Sequence, residues 1–218
     1  MSKYWQCGRL KTSEPLSLNI MKIMTEKQIE NVKDKIKKYK TALAADKKHW
    51  GGQYHDGQGI RYIIPEQFIK IKDYNGGLKY LSWFDKNFPD DSGYPIFLFE
   101  WTFILFKCNK LIDAEQKAHK TYFSNTYLLD KFLGKEPLQL DKNESSTWEY
   151  ESLLKNFSYT SKAEEFAEFA DWTETVLNSR KFLDKANEFL EIERELKNEP
   201  VGQNRSRLVN RLSKIKYG

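Results

Sequence analysis

The chain has 218 residues, of which 31% are charged and 15% are aromatic. This composition excludes a disordered chain and a small disulfide scaffold, because the length supports a sizeable core and Cys7 and Cys108 provide no disulfide framework. Residues 1–24 contain no recognisable secretory signal, and the longest apolar run, 94–106, carries Glu100 and is shorter than the ~20 residues that a membrane-spanning helix needs. We therefore expect a cytoplasmic protein without a membrane segment.

Helical periodicity begins at Thr25. Thr25 and Gln28 have the spacing of a capping box, and apolar residues follow at steps of three and four, which predicts a helix over 25–48. Residues 1–24 lack such a pattern and are expected to form a poorly ordered leader. The glycine-rich stretch 49–59 is expected to be a loop.

The remainder of the chain is predicted to be a series of helices with short connections. These helices are expected at 61–72, 75–87, 95–108, 111–123, 126–133, 147–157, 161–177, 180–197 and 204–215. Strand-like alternation is scarce, so we predict an all-α fold. It consists of a single helical domain over 25–200, followed by a basic C-terminal helix or tail over 201–218.

Several residues are predicted to mark helix ends. Pro65 is expected in the first turn of its helix, where a missing N–H group is tolerated. The acidic pair Asp90 and Asp91 is expected to cap the helix that follows it. Ser161 and Glu164 form a second capping box, which predicts a helix start at that point.

Two consecutive helix pairs share one pattern of large and small residues. The positions are Ile64, Pro65, Phe68, Tyr74, Gly77, Leu81 and Phe84 in the first pair and Leu98, Trp101, Thr102, Leu105, Leu111, Ala114, Ala118 and Thr121 in the second. Over residues 60–124 this spacing resembles the tetratricopeptide repeat, with Pro65 and Thr102 in place of the usual glycine. The resemblance implies antiparallel hairpins stacked as a short array, with Gly77 and Ala114 at the helix crossings. It also implies a non-enzymatic role in protein–protein interaction.

The helix at 95–108 is apolar on every side. Beyond its core positions it carries Phe99 and Phe103, which the repeat pattern turns toward the concave side of the array. Either helices from 25–48 or 126–197 cover these rings, or the rings line a groove that accepts a peptide.

Glu100 is the lone acid of this helix, and a carboxylate among apolar side chains requires a partner. The repeat spacing predicts that Arg61 and Tyr62, on the neighbouring hairpin, are the partners of this carboxylate. We therefore predict a partner-binding wall, here called the predicted wall, that consists of Arg61, Tyr62, Phe99, Glu100 and Phe103.

No residue pattern predicts catalysis or a cofactor. His49, His55 and Asp56 flank the glycine-rich loop, but a flexible loop is a weak metal site, so no metal is expected. No phosphate-binding or dinucleotide fingerprint is recognisable. His119 is expected on the outer side of its helix. We predict a protein that is not an enzyme, with a site around 49–62 as the enzymatic alternative.

The C-terminal segment concentrates the positive charge. Its bases are Arg205, Arg207, Arg211, Lys214 and Lys216. Their summed charge, +5, equals the net charge of the whole chain. The segment is expected to be a docked helix with a solvated basic face, separable from the rest of the domain, or a contact for nucleic acid or for an acidic protein. The functional expectation is thus a protein-binding module, with a bacterial antitoxin or immunity protein and a nucleic-acid-binding protein as alternatives.

Overall fold

A computed structural model describes residues 24–136, 140–144 and 146–217, and within this part of the chain 72% of residues are helical and none is in a strand. The α-helices are α1 (Glu26–His49), α2 (Ile60–Lys70), α3 (Tyr74–Asn87), α4 (Pro95–Lys107), α5 (Leu111–Ser124), α6 (Leu128–Phe132), α7 (Ala167–Leu177), α8 (Arg180–Asn198) and α9 (Gln203–Tyr217). Short 3₁₀ helices lie at Thr147–Glu149, Glu151–Asn156 and Glu164–Phe166. The predicted all-α class is confirmed. The predicted leader lies outside the described residues except for Met24.

The two capping boxes have different outcomes. At α1 the side chain of Thr25 accepts a hydrogen bond from the Gln28 backbone N–H (3.3 Å), and the Gln28 side chain accepts one from the Thr25 N–H (2.8 Å), so the first box is confirmed. The second is wrong, because α7 begins only at Ala167 and the preceding turn is a 3₁₀ helix without a side-chain cap. The predicted helix at 147–157 is likewise two 3₁₀ helices.

Pro65 lies in the second turn of α2 rather than in the first, because the helix already begins at Ile60. A proline in this position cannot bond the carbonyl of Arg61, four residues earlier. The hydroxyl of Tyr80 on α3 donates to that carbonyl instead, at 2.7 Å. The interior proline is therefore compensated by a side chain from the next helix, which also fixes α2 against α3.

α4 lies at the centre of the molecule, and ten of its thirteen residues are buried. It packs against α5 more extensively than any other two helices pack together. At this contact the Thr102 hydroxyl lies 3.2 Å from the hydroxyl of Thr121, so the threonine in place of the usual glycine bonds to a residue of the facing helix. Ala114, one of the predicted crossing residues, is fully buried.

Gly77, the other predicted crossing residue, lies where α3 approaches α4. A β-carbon here would lie 2.9 Å from Cδ1 of Ile104 and 3.4 Å from Cβ of Phe68, and Ile104 is fully buried. We expect Gly77→Leu to lower the free energy of unfolding by about 1–3 kcal/mol through overpacking, measured by urea denaturation. Gly202→Leu is the matched control, since a β-carbon there meets nothing within 4 Å. Equal losses in the two variants would contradict close packing at Gly77.

The C-terminal helices form a smaller apolar cluster beside the main core. Leu208 of α9 is fully buried against Ile192 and Leu196 of α8. The guanidinium of Arg205 donates to the carbonyls of Leu196 and Glu199, at 2.8 and 2.7 Å, and so caps the C-terminal end of α8. Across the described residues, no helix combines the length and the apolar character required to cross a membrane.

Candidate functional site

The predicted wall does not form a surface. Phe99 and Phe103 are fully buried, because rings from the C-terminal half of the chain cover them. The rings nearest to Phe99 belong to Phe132, Phe157, Tyr159 and Phe169, with centroids 5.0–5.7 Å away. Phe103 packs against Phe166 at 4.5 Å. The alternative that helices from 126–197 close over these rings is thus confirmed, and their assignment to a ligand surface is wrong.

Glu100 is also buried, but its partner is not the predicted one. The hydroxyl of Tyr159 donates to Glu100 Oε1 at 2.8 Å, while Oε2 has no hydrogen-bond partner among the described residues. Burial raises the pKa of Glu100 to about 8, even though the bond from Tyr159 favours the charged form. Glu100 is therefore a core carboxyl group that holds its proton to an unusually high pH, and the expected pairing with Arg61 and Tyr62 is wrong.

Arg61 and Tyr62 instead form an ion and hydrogen-bond network with two aspartates. Arg61 Nη1 lies 2.9 Å from Asp56 Oδ2, and Arg61 Nε lies 2.8 Å from Asp91 Oδ2. The Tyr62 hydroxyl donates to Asp91 at 2.7 Å. Asp91 thus joins its loop to α2 and does not cap the following helix as predicted, since the residue at that N-cap is Tyr94.

The network is complete in itself. Asp56 also accepts the backbone N–H groups of Ile60 and Arg61, at 2.9 and 3.0 Å, which satisfies donors at the start of α2. Burial lowers the pKa of Arg61, but its bonds to Asp56 and Asp91 outweigh this effect and raise the pKa overall. Because these groups already satisfy one another, we interpret the network as a clamp that fixes the loops before α2 and before α4.

The basic residues of the C-terminal segment are mostly engaged within the molecule. Arg211 pairs with Glu188 at 3.1 Å, and Lys216 lies 3.4 Å from both Glu149 and the buried Glu193. With Arg205 capping α8, three of the five bases make structural contacts. Arg207 reaches the Asn204 side chain and Lys214 is exposed. The expectation of a separable electrostatic element is therefore wrong.

A concave surface lies between α3 and α5, which are separated in the chain by α4. We call it the α3–α5 groove. It is lined by Leu78, Leu81, Ser82 and Asp85 of α3, by Leu98, Trp101 and Leu105 of α4, by Asp113, Gln116, Lys117 and Lys120 of α5, and by the segment 89–93. Two adjoining parts of about 350 and 560 Å³ share Asp85, Trp101, Lys117 and Lys120.

The floor of the groove combines an aromatic ring with unpaired cations. The amino group of Lys117 lies 3.3 Å from the centroid of the Trp101 ring, and neither Lys117 nor Lys120 forms an ion pair with another described residue. Burial, together with Lys120, lowers the pKa of Lys117 to about 8, although Asp85 and Asp113 act in the opposite direction. The groove thus holds a partly desolvated cation over an indole ring.

The lysines of this groove were not recognised from the sequence. Trp101 was placed correctly in α4, but Lys117 and Lys120 resemble any solvated lysines of an amphipathic helix. Their spacing of three residues puts them on one side of α5, which is the available signal. The open space between α3 and these lysines cannot be predicted from the sequence, because it depends on how two helices that are not neighbours in the chain pack together.

His119 differs most from its expected position. It is only 5% exposed and packs against Phe182, with ring centroids 5.0 Å apart. Its Nε2 atom has no hydrogen-bond partner within the described part of the chain. Burial, and next the charge of Lys185, lowers its pKa to about 4. His119 is therefore a neutral core residue, and its prediction as a surface residue is wrong.

Comparison of the chain with protein-family models, with curated proteins and with solved structures gives no match.

Proposed function

We propose that this chain is a non-enzymatic, tetratricopeptide-like protein-binding module and that the α3–α5 groove is its docking surface. The observation that supports the proposal is the unpaired Lys117 over Trp101 at the floor of an open groove. An antitoxin or immunity protein, which masks an effector enzyme, is one biological form of such a module.

The groove defines the chemistry of the partner. Lys117 is partly desolvated and unpaired among the described residues, so a carboxylate brought to it gains a charge-assisted hydrogen bond. Lys120 offers a second cation beside it. Once Lys117 turns toward that carboxylate, the Trp101 ring is free to contact an apolar side chain. The expected partner segment therefore carries an acidic residue next to an apolar one.

Nucleic-acid binding through the C-terminal segment receives less support. Arg205, Arg211 and Lys216 are committed to carbonyl or carboxylate groups of the same chain. A phosphate backbone would have to compete with these contacts, whereas the groove lysines have no such partner among the described residues.

A photo-crosslinking amino acid at the exposed Gln116 tests the proposal in cells of the source organism. We expect one specific protein adduct from this position and none from Glu191, an exposed position on α8. Replacing Lys117 and Lys120 by glutamine should reduce the adduct about tenfold, which corresponds to ~1.4 kcal/mol of binding free energy.

The matched control replaces Lys37 and Lys38, two exposed lysines of α1, by glutamine and should leave the adduct unchanged. Circular dichroism verifies that all variants remain folded. An adduct that forms equally from both crosslinking positions, or that survives the loss of Lys117 and Lys120, would exclude the groove as the docking surface.

A further inference from the structure

A second concave surface lies on the other side of α3. It is lined by Lys40 and Ala44 of α1, by Tyr54 of the following loop, and by Lys79, Tyr80 and Trp83 of α3, and it encloses about 300 Å³. We call it the aromatic pocket. At 3.6 residues per turn, positions 79, 80 and 83 project roughly opposite to the positions of α3 that line the groove, so the two surfaces are separate.

Three rings make the walls of the aromatic pocket. Trp83 meets Tyr80 at a centroid distance of 5.4 Å with a 30° angle between the ring planes, and it meets Tyr54 edge-on at 5.6 Å. Tyr80 is held rigidly, because its hydroxyl donates to the carbonyl of Arg61. Tyr54 also packs against Phe88, with ring centroids 4.9 Å apart. Fixed ring planes of this kind suit a flat ligand.

Apart from the Tyr80 hydroxyl, the side-chain polar groups of this pocket form no ion pair or hydrogen bond with a described residue. The amino group of Lys40 lies over two rings, 5.1 Å from the centroid of Phe68 and 5.8 Å from that of Tyr80, and neither Lys40 nor Lys79 forms an ion pair within the described residues. The Tyr54 hydroxyl and the Trp83 indole N–H likewise have no hydrogen bond to a described residue. Burial lowers the pKa of Lys40 and raises the pKa of Tyr54, which keeps the tyrosine protonated as a donor.

The geometry points to a binding site for a small molecule that combines a planar aromatic ring with an anionic group, as nucleoside monophosphates and aromatic carboxylates do. The ring lies beside Trp83 and Tyr54, and the anion is held by Lys40 and Lys79. The volume is at the lower end of the ~300–1,000 Å³ usual for ligand sites, which favours a ligand of this size. The site does not depend on the docking function proposed for the groove.

Isothermal titration calorimetry with the full chain tests the assignment in two arms. One arm compares adenosine monophosphate with adenosine and with inorganic phosphate, and the other compares indole-3-acetate with indole and with acetate. We expect one aromatic anion to bind with 1:1 stoichiometry and at least tenfold more tightly than its neutral ring or its free anion. The arm in which binding is observed shows whether the pocket prefers a nucleoside monophosphate or an aromatic carboxylate.

Two variants locate the binding. Lys40→Gln with Lys79→Gln should weaken it at least tenfold, and Trp83→Leu should weaken it similarly if that variant folds. The control variant Lys37→Gln with Lys38→Gln, which removes the same total charge from positions outside the pocket, should bind as the wild type does. Affinity that is no greater than that of the neutral rings, or that survives the loss of Lys40 and Lys79, would overturn the assignment.

Discussion

Replacing Glu100 by glutamine is expected to stabilise the protein at pH 8 by about 3.5 kcal/mol more than at pH 5. The carboxyl group ionises near pH 4.5 in the unfolded chain, whereas burial raises its pKa to about 8 in the folded protein. Between these values the folded state retains a proton that the unfolded state has released. Stability from this group therefore falls as the pH rises through that window, at up to ~1.4 kcal/mol per pH unit.

Glutamine removes this dependence while it preserves the geometry. Its side-chain carbonyl still accepts the bond from Tyr159, and its amide replaces Oε2, which has no partner among the described residues. Any constant penalty for the buried amide is the same at both pH values and cancels in the comparison.

Urea denaturation of both proteins at pH 5 and pH 8 provides the measurement. The contribution of His119 to the pH dependence of stability has the opposite sign, because its lowered pKa reduces stability as the pH falls from about 6.5 toward 4. His119 is present in both proteins, so its contribution cancels in the difference. Glu191→Gln, at an exposed position, serves as the control and should show no such pH dependence. A Glu100→Gln effect that is equal at the two pH values would show that Glu100 is ionised in the folded protein.

Truncation of Phe99 to alanine is expected to lower the free energy of unfolding by about 3–5 kcal/mol. The ring is fully buried among four others, so its removal combines lost burial with a cavity that rigid aromatic neighbours cannot fill. A residue on a ligand wall would instead lose binding and keep its stability.

Equilibrium unfolding followed by circular dichroism measures the loss. Ile112→Ala is the matched control, because Ile112 is 77% exposed and its truncation should change stability by no more than about 0.5 kcal/mol. A Phe99→Ala protein as stable as the control would mean that the rings of the C-terminal half do not enclose α4.

The helices were predictable from the sequence because their signals are local. The capping box at Thr25 fixes one helix start, and apolar periodicity locates α1 to α5 to within a few residues. Where side chains compete over longer distances, local rules fail. Aspartate is a residue type that often caps helices, yet Asp91 binds the guanidinium of Arg61, thirty residues away in the chain, instead of capping α4.

The candidate sites were less predictable because each depends on which elements become neighbours. Glu100 finds its partner in Tyr159, in a segment without regular periodicity that no spacing rule connects to α4. The pattern of α5 alone predicts a surface position for His119, whereas α8 covers it with Phe182. The amphipathic pattern of one helix does not reveal how many of its sides other helices will cover.

The position of α4 has a consequence for how the molecule unfolds. One side of this helix is packed by α3 and α5, and its phenylalanines on the other side are packed by α6 and α7. Loss of either set of neighbours would expose buried side chains of the same helix, such as Ile104 on one side or Phe99 on the other, so we expect the two sets to unfold together. We therefore expect a fragment limited to residues 60–124 to aggregate, and we expect the elements packed around α4 to unfold together.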